Sequence, residues 1–185
     1  MKLKIKFFLW TTVFLIFSII FTYVVFKGNY LPVADRVDNL QTKQQLSSSQ
    51  DILSKLSATE LKDYQGNKII LDVSIPFKKN IIIHLWASWC EPCVNEIPEL
   101  IAYSKNKMDT KFIIISLDEN RDDITKFLKS FPDFNSERFI KIWDESNQLS
   151  KFLNADRLPM SIIINKDQSE PRFIRSVVDW KNIIL

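Results

Sequence analysis

Glycine is almost missing from this chain of 185 residues: only Gly28 and Gly66 are present. Loops that cradle phosphates and dinucleotide fingerprints need several glycines so that backbone can approach the phosphate, and their absence argues against nucleotide chemistry. Imidazole is almost as scarce, with His84 alone. A serine or cysteine hydrolase would have no histidine base in a plausible place. Basic excess is lacking too. The formal charge of +3 comes entirely from Lys2, Lys4 and Lys6, while residues 27 to 185 carry 22 basic and 22 acidic side chains. No surface for nucleic acid is implied.

Charge is also absent from residues 7 to 26, "FFLWTTVFLIFSIIFTYVVF". At ~1.5 Å per residue, such a helix is long enough to cross the hydrocarbon core of a membrane. A cleaved signal peptide is the rival reading, but "VVFKGNYLPVADR" offers no good small-x-small cleavage site. Three lysines before the span and Lys27 just after it favour an inside N-terminus. The expected organisation is a cytoplasmic tail at 1 to 6, a signal-anchor helix at 7 to 26, a linker at 27 to 57 and a domain at 58 to 185. The linker, polar in "NLQTKQQLSSSQ", is read as ending in a short helix through Ile52, Leu53 and Leu56. The domain is then expected outside the cytoplasm, on the extracytoplasmic side of the membrane.

Beyond residue 58 strands and helices alternate. "NKIILDV" reads as a strand entered through the turn "YQG", and "NIIIHLWA" as a buried strand. A helix follows in "EPCVNEIPELIAYSKN", then strand "KFIIISL", helix "DDITKFLKSF", strand "RFIKIW", helix "NQLSKFL", and strands "MSIIIN" and "RFIRSVV". This order predicts an α/β domain, a central mixed sheet flanked by helices, with parallel β-α-β units and a final antiparallel hairpin. The acidic run "DENRDD" at 118 to 123 reads as a solvated loop and helix N-terminus.

The only two cysteines, Cys90 and Cys93, stand in "LWASWCEPC" where the first buried strand gives way to a helix. Free amides and partial positive charge at a helix N-terminus favour thiolate, so Cys90 is the expected nucleophile. Cys93, one turn on and on the same face, can close a redox-active disulfide with it and act as the resolving thiol. Glu91 between them places negative charge that opposes the helix field. Two thiols and one histidine could instead ligate copper, but His84 precedes the pair in a strand, and a closed zinc site would want a fourth protein ligand.

These residues resemble the thioredoxin superfamily, most closely its membrane-anchored extracytoplasmic branch, the TlpA-like and ResA-like thiol-disulfide oxidoreductases. The resemblance covers about residues 58 to 180 and rests on "LWASWCEPC", "EIPEL" at 96 to 100, "WDESNQLSKFLNADRLPMSIIIN" at 143 to 165 and "VVDW" at 177 to 180. It implies a thioredoxin-like fold, no cofactor, protein clients carrying disulfides, and a membrane thiol transporter as electron donor. Apocytochrome c or copper-site cysteines are the implied clients, so reduction is favoured over oxidation or isomerisation. Pro159 matches the family's cis-proline, with Leu158 and Trp89 beside the client; otherwise Pro159 is an ordinary trans proline opening a strand. Trp86 is core packing. Glu96 matches an acidic residue tied to thiol reactivity, and its plain alternative is a surface glutamate favoured by the helix dipole. His84 is either a hydrogen-bonded core histidine or, with Glu96, part of a proton relay.

Departures accompany the resemblance. "KDQSE" lacks a glycine common in the family, and Ser176 stands where a glycine is usual. Only five residues follow "VVDW", too few for the terminal helix the family implies. The expectation is an exposed sheet face or a shortened, functionally impaired domain.

Overall fold

A computed structural model of the chain describes residues 14–23, 48–71, 79–168 and 170–185. The chain divides into two units, Met1–Gln44 and Gln45–Leu185. In the first, residues 14–23 are helical with exposed side chains. The other residues of the expected span, 7–13 and 24–26, lie outside the described residues, among which no helix is long and apolar enough to cross a membrane.

The second unit begins with α1, Ser49–Ala58, capped by the Ser48 hydroxyl, which accepts from the amide of Asp51. Its apolar positions Ile52, Leu53 and Leu56 are buried in the domain core. Residues 49–57, assigned to the linker on sequence, are therefore part of the folded unit, because this amphipathic face has a sheet to cover. A two-stranded antiparallel ladder follows, β1 (Leu61–Lys62) with β2 (Lys68–Ile69), closed by a turn in which Gly66 takes φ +87. β2 is shorter than the strand expected from "NKIILDV", whose last two residues lie outside the described residues.

The main sheet has the order β5-β4-β3-β6-β7: β3 (Asn80–Trp86), β4 (Thr110–Ser116), β5 (Phe139–Trp143), β6 (Met160–Ile164) and β7 (Arg172–Ile174). β3, β4 and β5 run parallel; β6 is antiparallel to β3, and β7 to β6. α2 (Glu91–Lys105) and α3 (Arg121–Ser130) are the crossovers between the parallel strands, and α4 (Gln148–Phe152) precedes β6. This is the expected mixed sheet flanked by helices. Every residue of β3 is buried, which explains why all but Asn80 and His84 are apolar: a central strand is covered on both faces.

Strand alternation divides that coverage. Ile81, Ile83 and Leu85 face the cluster filled by α1 and α4, whereas Ile82 and Trp86 face the one filled by α2, α3 and the 3-10 turn Pro132–Asn135. His84 has the second parity, so it lies on the α2 side.

β7 ends at Ile174, short of the expected "RFIRSVV". Past it the chain leaves the ladder, and Val178 and Trp180 are buried against the α2 cluster, with Ile183 and Leu185 packed alongside. The sheet face expected to be exposed is thus covered here by Val178 and Trp180.

Candidate active site

Cys90 is the N-cap of α2, and Pro92 in the first turn costs nothing because amides there have no intrahelical acceptor. Cys90 and Cys93 form a disulfide with Cα atoms 5.2 Å apart. Cys90 Sγ also accepts from the backbone N–H of Cys93 at 3.4 Å. The two sulfurs differ in access, for Cys90 keeps 6% of its surface exposed and Cys93 none. Trp89, just before the pair, is 69% exposed, whereas Trp86 is fully buried and donates from its indole N–H to the Tyr64 hydroxyl at 2.8 Å. The Leu158–Pro159 bond is cis, Pro159 is buried, and Leu158 packs against the cluster that contains both cysteines.

Asp118 is what the sequence reading missed. It is buried, not part of a solvated loop, and its carboxylate accepts from the amide and hydroxyl of Ser88 and from the hydroxyl of Ser116. Those bonds tie the segment leading to Cys90 to the end of β4. The signal was a serine, not a hydrophobic residue, at 116 closing a strand of isoleucines. Asn120 does stand at the N-cap of α3, but its side chain makes no capping bond.

His84 and Glu96, read on sequence either as a proton relay or as a core histidine and a surface glutamate, meet in the domain interior. Glu96 is one turn beyond Cys93 on the buried face of α2 and is 3% exposed, which removes the surface-glutamate reading. Its Oε2 accepts from the Val178 amide at 2.8 Å, and its Oε1 lies 3.3 Å from His84 Nε2. His84 Nδ1 is 2.9 Å from the Ser161 hydroxyl, its cross-strand partner on β6. The Trp180 ring stands edge-on to the imidazole, 6.0 Å between centroids.

Burial governs both ionisable groups. It raises Glu96 to about 7, against the Val178 amide and the Trp180 indole, which hold it down, and with the charge of Glu99, which adds to the rise. The indole N–H faces the carboxyl without good hydrogen-bond geometry. Burial alone lowers His84, to about 3. The 3.3 Å spacing is that of an ion pair, and pairing would push both groups the other way. Enclosure outweighs it, so the imidazole is neutral and Glu96 holds its proton up to about pH 7.

Those directions give opposite pH dependences. Glu96 keeps its proton more readily folded than unfolded, so its contribution falls as pH rises from 4.5 through about 7. His84 refuses the proton that the unfolded chain accepts, so its contribution is full above 6.5 and is lost as pH falls toward about 3. Denaturant unfolding between pH 4.5 and 7 should show His84→Asn gaining stability on acidification and Glu96→Gln losing it. Parallel curves for the two variants would refute the assignment.

Residues 78–170, half of the chain, match the family model described as Thioredoxin-like. The chain belongs to this thioredoxin-like family. Among curated relatives, the sporulation thiol-disulfide oxidoreductase A of Bacillus subtilis is 30% identical over 101 residues, 51% of this chain and 59% of that protein. The thiol-disulfide oxidoreductase ResA of Bacillus thuringiensis is 28% identical over 108 residues, 58% of this chain and 54% of that protein. The chain thus spans a little over half the length of these relatives. Among solved structures, a secreted Mycobacterium tuberculosis disulfide oxidoreductase homologous to E. coli DsbE superposes with a TM-score of 0.59 at 15% identity, covering 69% of this chain and 92% of the other. StoA from Bacillus subtilis gives 0.52 at 20% identity, covering 66% and 90%. The thioredoxin-like domain thus carries a closely spaced, disulfide-forming cysteine pair in a fold shared with known oxidoreductases.

Proposed function

We propose that this chain is a membrane-tethered, extracytoplasmic thiol-disulfide oxidoreductase that reduces disulfides in a restricted set of client proteins. The observation that carries the reading is the asymmetry of the pair: Cys90 reaches solvent at the helix N-terminus, while Cys93 is sealed behind it. Exchange chemistry needs one sulfur that a client can reach and one that only the partner sulfur can reach. Cys90 attacks, Cys93 resolves, and the exposed Trp89 with the Leu158–Pro159 segment receives the client chain. Glu96 accepts the resolving thiol's proton.

The anchor is residues 7–26, and the tail at 1–6 is cytoplasmic. A membrane thiol transporter is the electron donor, and apocytochrome c or copper-site cysteines are the clients. Relatives named as thiol-disulfide oxidoreductases support the chemistry, and the charge-free run flanked by lysines supports the tether. The copper-carrier reading has less behind it, because His84 faces Ser161 and Glu96 from β3.

Equilibration of the pair against glutathione should give a potential near that of thioredoxin, about −270 mV, as a reductant requires. A value near that of DsbA, about −120 mV, would make the protein an oxidant. Protease added to spheroplasts should digest the domain and leave the N-terminal tail.

A further inference from the structure

His84 Nε2 and Glu96 Oε1 are buried without a hydrogen-bond partner, yet they stand 3.3 Å apart. Buried polar atoms are rarely left unsatisfied, and two lone pairs facing each other repel. One proton between them satisfies both. On the other side of the ring, Nδ1 meets the Ser161 hydroxyl at 2.9 Å, a group that can donate or accept. Two arrangements are therefore complete. With Glu96 protonated, the carboxyl donates to Nε2 and Nδ1–H donates to Ser161. With Glu96 ionised, Nε2–H donates to the carboxylate and the Ser161 hydroxyl donates to Nδ1.

We propose that His84 is a positioning residue that works as a tautomer switch: Ser161 lets the ring carry its proton on either nitrogen, so that Glu96 has a hydrogen-bond partner whether or not it is charged. This deepens the oxidoreductase reading and rests on it for its use. At the resolving step the Cys93 S–H bond breaks and its proton passes to the Glu96 carboxylate. The Cys93 sulfur then bonds to Cys90 Sγ, the bond from Cys90 to the client breaks, and the client sulfur leaves with the electron pair and is protonated by water. Cys93 and Glu96 lie one turn apart on α2, where neighbouring Cβ atoms are roughly 5–6 Å apart. Without the switch, an ionised Glu96 would face an imidazole lone pair in a buried site.

Among the described residues, the following groups lie on the elements around the pair. α2 brings Cys93 and Glu99, the latter held by Lys181 of the C-terminal tail at 2.8 Å, and Tyr103, whose ring is 5.5 Å from that of Trp180. β4 brings Ile114 opposite His84, and β6 brings Ser161.

Because His84 is the only histidine, imidazole ¹⁵N shifts of the untagged full chain report on it without assignment. In the wild type, raising the pH from 5 to 9 should move the ring proton from Nδ1 to Nε2, with no imidazolium stage. Reducing the disulfide should shift the midpoint. Glu96→Gln should abolish the reversal, and Ser161→Ala should leave one tautomer at all pH values. A wild-type ring that keeps one tautomer throughout, or that titrates to imidazolium, overturns the proposal without need of any variant. A chain with the reversal but no exchange activity would sink the oxidoreductase reading and leave the switch standing.

Discussion

Cys93→Ala should convert the protein from a catalyst into a trap. The Cys90 thiolate attacks a client disulfide, one client sulfur leaves, and a mixed disulfide remains that only Cys93 is placed to attack. With Cys93 fully buried behind Cys90, no other thiol of the chain can take over, because the chain has no third cysteine. Covalent complexes should accumulate, survive denaturation and dissolve on adding a thiol reductant, and mass spectrometry of the released partners would name the clients. Cys90→Ala should trap almost nothing and lose exchange activity entirely. Equal trapping by the two variants would reverse the assigned roles, and absence of complexes in both would remove exchange as the function.

The largest loss of stability is expected at Trp86. Its ring is fully buried where β3 reaches the active site, 4.5 Å from Phe127 and 5.3 Å from Phe134 between centroids, and its N–H is held by Tyr64. Trp86→Ala removes that volume and leaves the Tyr64 hydroxyl without its donor, at a cost of about 3 to 5 kcal/mol. Trp86→Phe keeps most of the ring and should cost about 1 to 2 kcal/mol, the hydrogen bond being the main loss. Chemical denaturation would measure both. A loss under about 1 kcal/mol for the alanine variant would mean that the cluster collapses into the space. Since Trp86 also precedes the segment that Asp118 holds, exchange activity in the alanine variant should fall along with stability.

Much of this was open to inspection in the sequence, for local reasons. A strand buried on both faces is mostly apolar, so "NIIIHLWA" and "KFIIISL" announced the centre of the sheet. A cysteine before a proline-containing helix start announced the redox pair. The failures are local too: a terminal strand was extended through residues that leave the ladder, and a helix with a buried apolar face was assigned to the linker.

Chain order and residue type by themselves determined the alternation of elements, the mixed sheet and the single pair of thiols. These depend on interactions within a few residues: periodicity, capping and turn chemistry. Only the tertiary structure decided which polar residues meet. His84 and Ser161 are 77 positions apart and face each other because β3 and β6 pair in one register. Glu96 and the Val178 amide are 82 apart and meet because the tail leaves the sheet. Asp118 reaches Ser88 across a β-α-β crossover. A sequence shows that His84 and Ser161 interrupt apolar strands, but a one-residue slip in pairing would send one of them to the other face. Register and burial, which no short window contains, brought two lone polar residues and a glutamate together.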